Sequence, residues 1–320
     1  MAAACRLAAL VLLGFCGVPA GIAAAPDYPV RPIRFIVGAA PDVLPRLVGQ
    51  RLTDTWGQQV VVDQRSGAGG SIAAETAAKA APDGYTLLLT TGAYSVNAVY
   101  YSKLPYDLVR DFAPVGLLAT IQFLLVVHPS VPVKSIEELV QLARARPGQL
   151  NCASGGNGTT SHFGCEMLKS RAQIDVVHVP YRGVVPAITE VLGGQVQMMF
   201  TPMQAGLPHV RAGKLKALGV GGAKRASAAP DLPTVAEAGV PGFAFDSWNG
   251  VHVPVRTPGQ IIAKLNTELA KAISLPEVQK RMLDLGLEPA GGTPGEFAAF
   301  VKADIARWAS VVKDAGVRTE

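Results

Sequence analysis

Short apolar runs alternate with helix-length periodic segments along almost the whole chain, and no other feature restricts the fold as strongly. Ile33-Arg34-Phe35-Ile36-Val37 reads as a strand, followed by a loop and a helix from about Asp42 to Trp56. Val60-Val61-Val62 reads as the next strand, and the loop Ser66-Gly67-Ala68-Gly69-Gly70-Ser71 leads from it into an alanine-rich helix. Asp83-Gly84 is a turn before a strand from Tyr85 to Leu89, and Phe123 to Val127 is a further strand. The pattern restarts behind Ser135-Ile136-Glu137-Glu138, a capping box whose serine and glutamate each satisfy an orphan amide of the helix that follows. Strands near Leu150 to Ser154, at Val176 to Val179, at Met198 to Phe200 and at Leu215 to Val220 then alternate with helices from Thr160 and near Val185 to Leu192. Repeated strand–loop–helix units point to α/β layers with mainly parallel sheets. Two similar blocks predict two lobes on separate sheets, and 320 residues with 49% hydrophobic side chains supply enough apolar mass for two cores.

The last quarter is helical. Thr257-Pro258-Gly259-Gln260 is a second capping box, with Ile261, Leu265, Leu269 and Ile273 on one stripe behind it. Thr293-Pro294-Gly295-Glu296 is a third. Phe297, Phe300, Val301, Ile305, Trp308 and Val312 form the apolar face of the final helix, which Gly316 ends. These stripes are expected to be core, not binding surfaces.

The first residues read as an export signal occupying residues 1–25. Arg6 is the segment's positive side chain, Leu7 to Phe15 is a short apolar stretch, and Gly21-Ile22-Ala23-Ala24-Ala25 offers small residues for cleavage. The apolar stretch is shorter than the roughly 18 residues that span a bilayer. Export places the rest of the chain in an oxidising compartment, where Cys152 and Cys165 either form a disulfide or remain two buried thiols. The formal net charge of +5 is spread without a Lys/Arg run or a basic–aromatic stripe, which argues against nucleic acid and suits attraction of small anions.

The chemistry concentrates in Cys152-Ala153-Ser154-Gly155-Gly156-Asn157-Gly158-Thr159-Thr160-Ser161-His162. It follows a strand and opens a helix. Glycines let the backbone approach a ligand, and the first helix amides have no intrahelical partner and favour negative charge. Ser154, Thr159, Thr160 and Ser161 add hydroxyls. A plain N-cap accounts for one hydroxyl, not for three glycines and four hydroxyls together. Ser154, Gly158, Thr159 and His162 are therefore candidate ligand residues, and Gly158→Pro is expected to lower affinity more than stability. One helix start gives an anion at most about 2 kcal/mol, whereas micromolar binding needs about 8 kcal/mol. A second lobe must contribute. Its candidates are Gly38 and Ala39 in the loop before Asp42, Asp42 itself, and Thr91 at a strand end, where open α/β sheets hold ligands.

Other chemistries fit poorly. The Gly-x-Gly-x-x-Gly pattern is incomplete, with Ser161 at its third position, and no Gly-x-x-x-x-Gly-Lys loop, Gly-x-Ser-x-Gly elbow or His-Glu-x-x-His is present. Ser154 and His162 lack an orienting acid. Cys152, His162 and Cys165 lack a fourth ligand at zinc spacing. No cofactor, metal or catalytic residue is expected.

Taken together, the motifs resemble the solute-binding receptors of tripartite tricarboxylate transporters, the Bug-type periplasmic binding proteins. The resemblance runs from Tyr28-Pro29-Val30-Arg31-Pro32-Ile33-Arg34 through Arg65 to Gly70, Ala81-Pro82-Asp83-Gly84-Tyr85-Thr86-Leu87-Leu88 and Ser154 to His162. It continues in Val179-Pro180-Tyr181-Arg182-Gly183, Leu207 to Leu218, Asp231 to Gly239 and Ser247-Trp248-Asn249-Gly250. It implies a periplasmic clamshell. Residues 26–127 with 248–320 would form one lobe and 128–247 the other, with crossings near Val127 and Trp248 and the C-terminal helices back on the first lobe. It implies a monomer that binds a small organic acid and hands it to membrane transporter subunits, or reports it to a sensor protein; an enzyme on small acids and a degenerate, non-binding clamshell are the other readings. Tyr181 and Thr201 enter as candidate ligand residues by this analogy alone. Two departures stand out. The Gly38-Ala39-Ala40-Pro41 loop is several residues shorter than the family's, and Thr201 stands where the family places an aspartate, removing a negative charge.

Overall fold

The computed structural model describes residues 28–314; the expected export signal and the Gly316 helix stop lie outside them. The first lobe opens with β1 (Ile33–Val37), α1 (Val43–Trp56), β2 (Val60–Gln64), a short turn at Ala68–Gly70, α2 (Ser71–Ala78), β3 (Thr86–Thr91), α3 (Gly92–Tyr100) and β4 (Phe112–Ile121). The second lobe comprises β5 (Phe123–Val127), α4 (Ile136–Ala145), β6 (Asn151–Ser154), α5 (Thr160–Ala172), β7 (Val177–Pro180), α6 (Val184–Leu192), β8 (Met198–Pro202), α7 (Met203–Arg211) and β9 (Lys216–Val220). The chain then returns through β10 (Ser247–Pro254), α8 (Gly259–Ser274), α9 (Pro276–Asp284), β11 (Leu287–Pro289) and α10 (Pro294–Asp314).

The strands form a 6-stranded sheet in the order β11-β4-β10-β3-β1-β2 and a 5-stranded sheet in the order β7-β6-β8-β5-β9. β1 pairs in parallel with β2 and β3, and β6 in parallel with β7 and β8. Each sheet holds a reversed strand that follows a crossing: β5 runs antiparallel to β8 and β9, and β10 antiparallel to β3 and β4. The first crossing is at Gln122, not near Val127, because Phe123–Val127 pair with Met198–Pro202 in the second sheet. The second precedes Ser247, which opens β10 in the first sheet.

Each lobe buries its sheet under helices. Phe35, Leu44, Leu87, Val251 and Leu265 belong to one core of the first lobe; Leu124, Ala187, Ile188 and Met199 belong to one of the second. The helix faces expected as core are buried at Leu265, Leu269, Ile273, Phe297, Val301, Trp308 and Val312. Trp308 and Val312 of α10 reach across, joining Val96 and Tyr100 of α3 to Phe163 and Phe245 in one apolar cluster that spans both lobes. Two of the three capping boxes cap. Ser135 accepts from the Glu138 amide and Thr293 from the Glu296 amide, at 3.1 and 3.2 Å. The third does not, because Thr257 donates to the Pro254 carbonyl and α8 starts two residues later.

Cys152 and Cys165 are joined by a disulfide, 13 residues apart in sequence, tying β6 to α5 under the glycine-rich loop. Closing a loop of that size stabilises by about 3 kcal/mol in the chain-entropy account. Replacing both cysteines with alanine should lower stability by about that amount, read from urea unfolding. Wild-type stability in the double variant would show that packing alone holds this corner.

Candidate ligand-binding cleft

The carboxyl ends of the parallel strands of both sheets point into one space between the lobes, the place where open α/β sheets present helix starts. From the first lobe, Gly38 to Pro41 after β1, Gly69 after β2, and Thr91, Ala93 and Tyr94 at the start of α3 line it. From the second, Thr159, Thr160 and Ser161 at the start of α5, Val184 at the start of α6, and Pro202 and Gln204 at the start of α7 line it. Ile121 and Phe123 flank the first crossing, and Ser247 and Asn249 come from the returning strand. The space not filled by atoms, open solvent at its mouth included, is about 530 Å³. A neighbouring mouth of about 480 Å³ is bounded by Asp42, Gln64 and Ser66 on one side and Gly183 to Pro186 on the other.

The lobes are closed on one another. The Val184 amide donates to the Ala39 carbonyl across the gap at 3.4 Å. A side chain on Gly158 would lie 2.3 Å from Asn97 Oδ1, and one on Gly69 would lie 2.8 Å from the Asn157 carbonyl. Gly69 is required by the approach of the Asn157 backbone, and Gly158 by the approach of the Asn97 side chain. The Gly38–Pro41 loop of the first lobe therefore reaches the second. Its Gly38 carbonyl is taken by the Gln64 amide and the Ser66 hydroxyl.

Among the described residues, no lysine, arginine, histidine, aspartate or glutamate lines the cleft. Negative charge there can be met only by dipoles. Part of each helix start is already spent. The Gly92 amide donates to Ser247 Oγ at 3.1 Å, the Ala93 amide to Thr91 Oγ1 at 3.2 Å, and the Met203 amide to the Gln122 carbonyl at 3.0 Å. The Thr160 and Ser161 amides open α5 and have no acceptor within their helix; α5 runs 13 residues, enough for its dipole to favour an anion at that end. Thr159 caps the same helix, accepting from the His162 amide at 3.4 Å and donating to the Gly156 carbonyl at 2.7 Å. Among the described residues, two buried side-chain atoms of lining residues have no hydrogen-bond partner: Gln204 Oε1 and Asn249 Nδ2.

The residues expected from sequence separate into two groups. Gly38, Ala39, Thr91 and Thr159 line the cleft and Asp42 lines its mouth, where it pairs with Arg46. Ser154, Gly158, His162, Tyr181 and Thr201 do not line it. Ser154 is fully buried and bonded to His178 Nε2 at 2.6 Å and to Gly156. That Ser–His pair has no route to a substrate, because the hydroxyl is enclosed. Gly158 sits on the lobe–lobe contact with φ +75, and its amide donates to His162 Nδ1 at 3.3 Å. Gly158→Pro would remove that bond and impose an incompatible φ, so it would cost stability as well as affinity. His162 turns away and stacks on His178, with centroids 4.2 Å apart. Tyr181 packs against the apolar cluster that includes Val184 and Ile188, and Thr201 is buried in β8 against Gly206. Ser247, Asn249, Tyr94 and Gln204 also line the cleft, and no local motif marks them as ligand residues. Each comes from a segment whose place beside the others depends on the crossings.

His162, Glu166 and His178 bring ligand-type atoms within 4.8 Å of one another. Their chemistry opposes a metal. With Nδ1 of His162 accepting the Gly158 amide, the other ring nitrogen holds the proton in the neutral ring, the reverse of what a ligating histidine needs. The two rings lie 24° from parallel, so their lone pairs do not converge, and both Glu166 oxygens hold Lys169.

Burial pushes His162 down to about 4, with the Lys169 charge adding to it. Burial likewise takes His178 down to about 3, helped by His162 and Lys169 and opposed by Glu166. His252, fully enclosed beside Thr90, is also pushed down to about 3 by burial. All three are neutral when folded and titrate near 6.5 when unfolded. The unfolded chain therefore binds more protons below about pH 6.5. Stability should be whole above that pH and fall towards pH 4, by up to about 1.4 kcal/mol per pH unit for each ring. Urea midpoints measured from pH 7.5 to 4.5 check this, and a His252→Asn variant should show a shallower fall. A flat profile would mean that these rings stay open to protons.

Gly158→Ala tests the closed contact. Its Cβ would strike Asn97 of α3 and Tyr101 just after it, and leave an alanine at positive φ. The closed form should become less populated, lowering apparent ligand affinity about five- to tenfold and raising the radius of gyration in small-angle scattering. Unchanged affinity and radius would remove this contact from closure.

Residues 44–317 match the tripartite tricarboxylate transporter family receptor. The chain is 35% identical to the protein BugT of Bordetella pertussis over 318 residues, covering 97% of this chain and 98% of that one. It is similar to the structure of Rpa4515 of R. palustris with adipate, at 37% identity and TM-score 0.88 over 91% of this chain and 99% of that one. It is also similar to MatC (Rpa3494) from Rhodopseudomonas palustris with bound malate, at 33% identity and TM-score 0.85 over 89% of this chain and all of that one (100%). A match across most of the chain, carried by the same two-sheet fold, places this protein in the tripartite tricarboxylate transporter receptor family.

Proposed function

We propose that this protein is an exported, non-catalytic receptor that closes on a small organic carboxylate in the periplasm and delivers it to the membrane subunits of a tripartite tricarboxylate-type transporter. One observation carries the reading. Helix starts from two separate sheets meet in a closed cleft whose lining has neither acid nor base. A carboxylate there takes its bonds from the Thr160 and Ser161 amides and the hydroxyls around them, with the Gly38–Pro41 loop and Thr91 closing from the other lobe. Fixed amides in a dry cleft act without competition from water, so they are worth more than the same dipoles at a surface. The adipate and malate in the two R. palustris structures support this ligand class. Delivery to a transporter rests on the family, and the export segment supports the compartment. Among the described residues no helix is long and apolar enough to cross a membrane.

A thermal-shift screen of the purified chain against mono-, di- and tricarboxylates, with uncharged sugars as controls, tests the proposal. A ligand at a hundred times its Kd adds about 2.7 kcal/mol, which raises Tm by about 5 °C in a chain of this size. A shift with sugars and none with acids would sink the reading.

A further inference from the structure

The start of α5 carries the Thr160 and Ser161 amides, and the segment before it is pliable. Gly156 and Gly158 lie there at φ +122 and +75, conformations that only glycine adopts freely. What aims those amides must therefore come from behind the helix. Within its own lobe, α5 is tied to β6 by the Cys152–Cys165 disulfide. Phe163, the fourth residue of α5, faces the first lobe instead. Its ring meets Tyr100, the last residue of α3, edge-on with centroids 5.4 Å apart, and Trp308 of α10 edge-on with centroids 5.8 Å apart. Phe163, Tyr100 and Trp308 are buried, at 1%, 4% and 1% exposure. Edge-to-face rings attract beyond the area they bury.

Trp308 is itself held. Asp304, one turn earlier on α10, accepts from Trp248 Nε1 of β10 at 2.7 Å, and Arg307 bridges Asp304 to Asp246 at the second crossing. The seat for Phe163 is thus built wholly from the first lobe and anchored where the chain passes between lobes. Neither Tyr100 nor Trp308 lines the cleft.

We propose that Phe163 is the latch of lobe closure: its ring enters the Tyr100–Trp308 seat only as the lobes close, which makes Tyr100 and Trp308 positioning residues for a ligand they do not touch. The inference rests on the receptor reading above and concerns how the same cleft is held shut. With the seat filled, the α5 start is set against Thr91 and the Gly38–Pro41 loop. With the seat empty, Phe163 meets water and the amides lose their aim. The acid and the aromatic contact favour the same closed form, so loss of the rings shows as weaker binding. Trp308 Nε1 has no hydrogen-bond partner, so phenylalanine at that position keeps a ring and leaves no polar group unpaired.

Isothermal titration, stopped-flow release and tryptophan emission of the full chain test this, with adipate, malate, citrate and hexanoate as probes. Trp308→Phe should bind within about twofold of wild type. It should nonetheless lose most of the emission change that a bound acid produces, because Trp56 and Trp248 stay within the first lobe. Trp308→Leu and Phe163→Leu remove the ring contact from either side. Each should lower affinity about fivefold through faster release at unchanged stoichiometry. The double variant should bind no more weakly than Phe163→Leu, because one contact is lost once. A merely structural role would lower the fraction of competent protein and leave the release rate as it was. Wild-type affinity in the leucine variants, losses that multiply in the double variant, or an emission change that survives intact in Trp308→Phe overturns the latch and leaves the receptor reading standing. If none of the four acids binds the wild-type chain, the receptor reading fails and the latch with it.

Discussion

Everything in the cleft depends on both sheets turning the carboxyl ends of their parallel strands towards the same space. That arrangement is imposed by two crossings, at Gln122 and before Ser247. Each delivers a reversed strand into the sheet it enters, so the sheets keep their own parallel cores while their loop ends face one another. Helix amides that would otherwise meet water then meet each other's lobe. The Val184 amide on the Ala39 carbonyl is the direct expression of this: one lobe's helix start already satisfied by the other lobe's backbone.

The charge distribution follows the same logic. Ion pairs such as Arg31–Asp83 and Lys280–Asp284 are at the surface, where they are worth little. One partly enclosed pair, Arg307 with Asp304, lies behind β10, where Asp304 also accepts from Trp248 of the strand. The buried histidines are held neutral. With charge kept out of the cleft, recognition falls to dipoles. Dipoles discriminate by direction. They also need a dry, fixed setting, and the apolar cluster from Phe163 to Trp308 ties the lobes together beside the cleft.

Much of the fold could be read directly. β1, β5 and α5 lie where the alternation of short apolar runs with helix-length segments puts them. Other elements were hidden for identifiable reasons. β4 contains Pro114 and Gly116, which argue against a strand, and is tolerated because it pairs with β10 across bulges. β10 is buried along its whole length and so shows no alternation. α3 opens on Gly92 and carries Ser95 and Asn97, and α7 contains Pro208, so neither has a strong helical signal. The site divided in the same way. Thr159 was legible because a cap is local. Ser154 and His162 share its loop but turn inward, where β7 contributes His178.

The sequence by itself determined the two α/β blocks, the glycine-rich helix starts and the family resemblance, because these depend on local periodicity, capping and turn chemistry. Only the tertiary structure decided which groups share the cleft. Asn249, Gln204 and Ser247 meet the α3 and α5 starts across large sequence separations, and nothing local to any of them records that meeting. Their neighbours are set by strand order and lobe closure, which are properties of the packed whole.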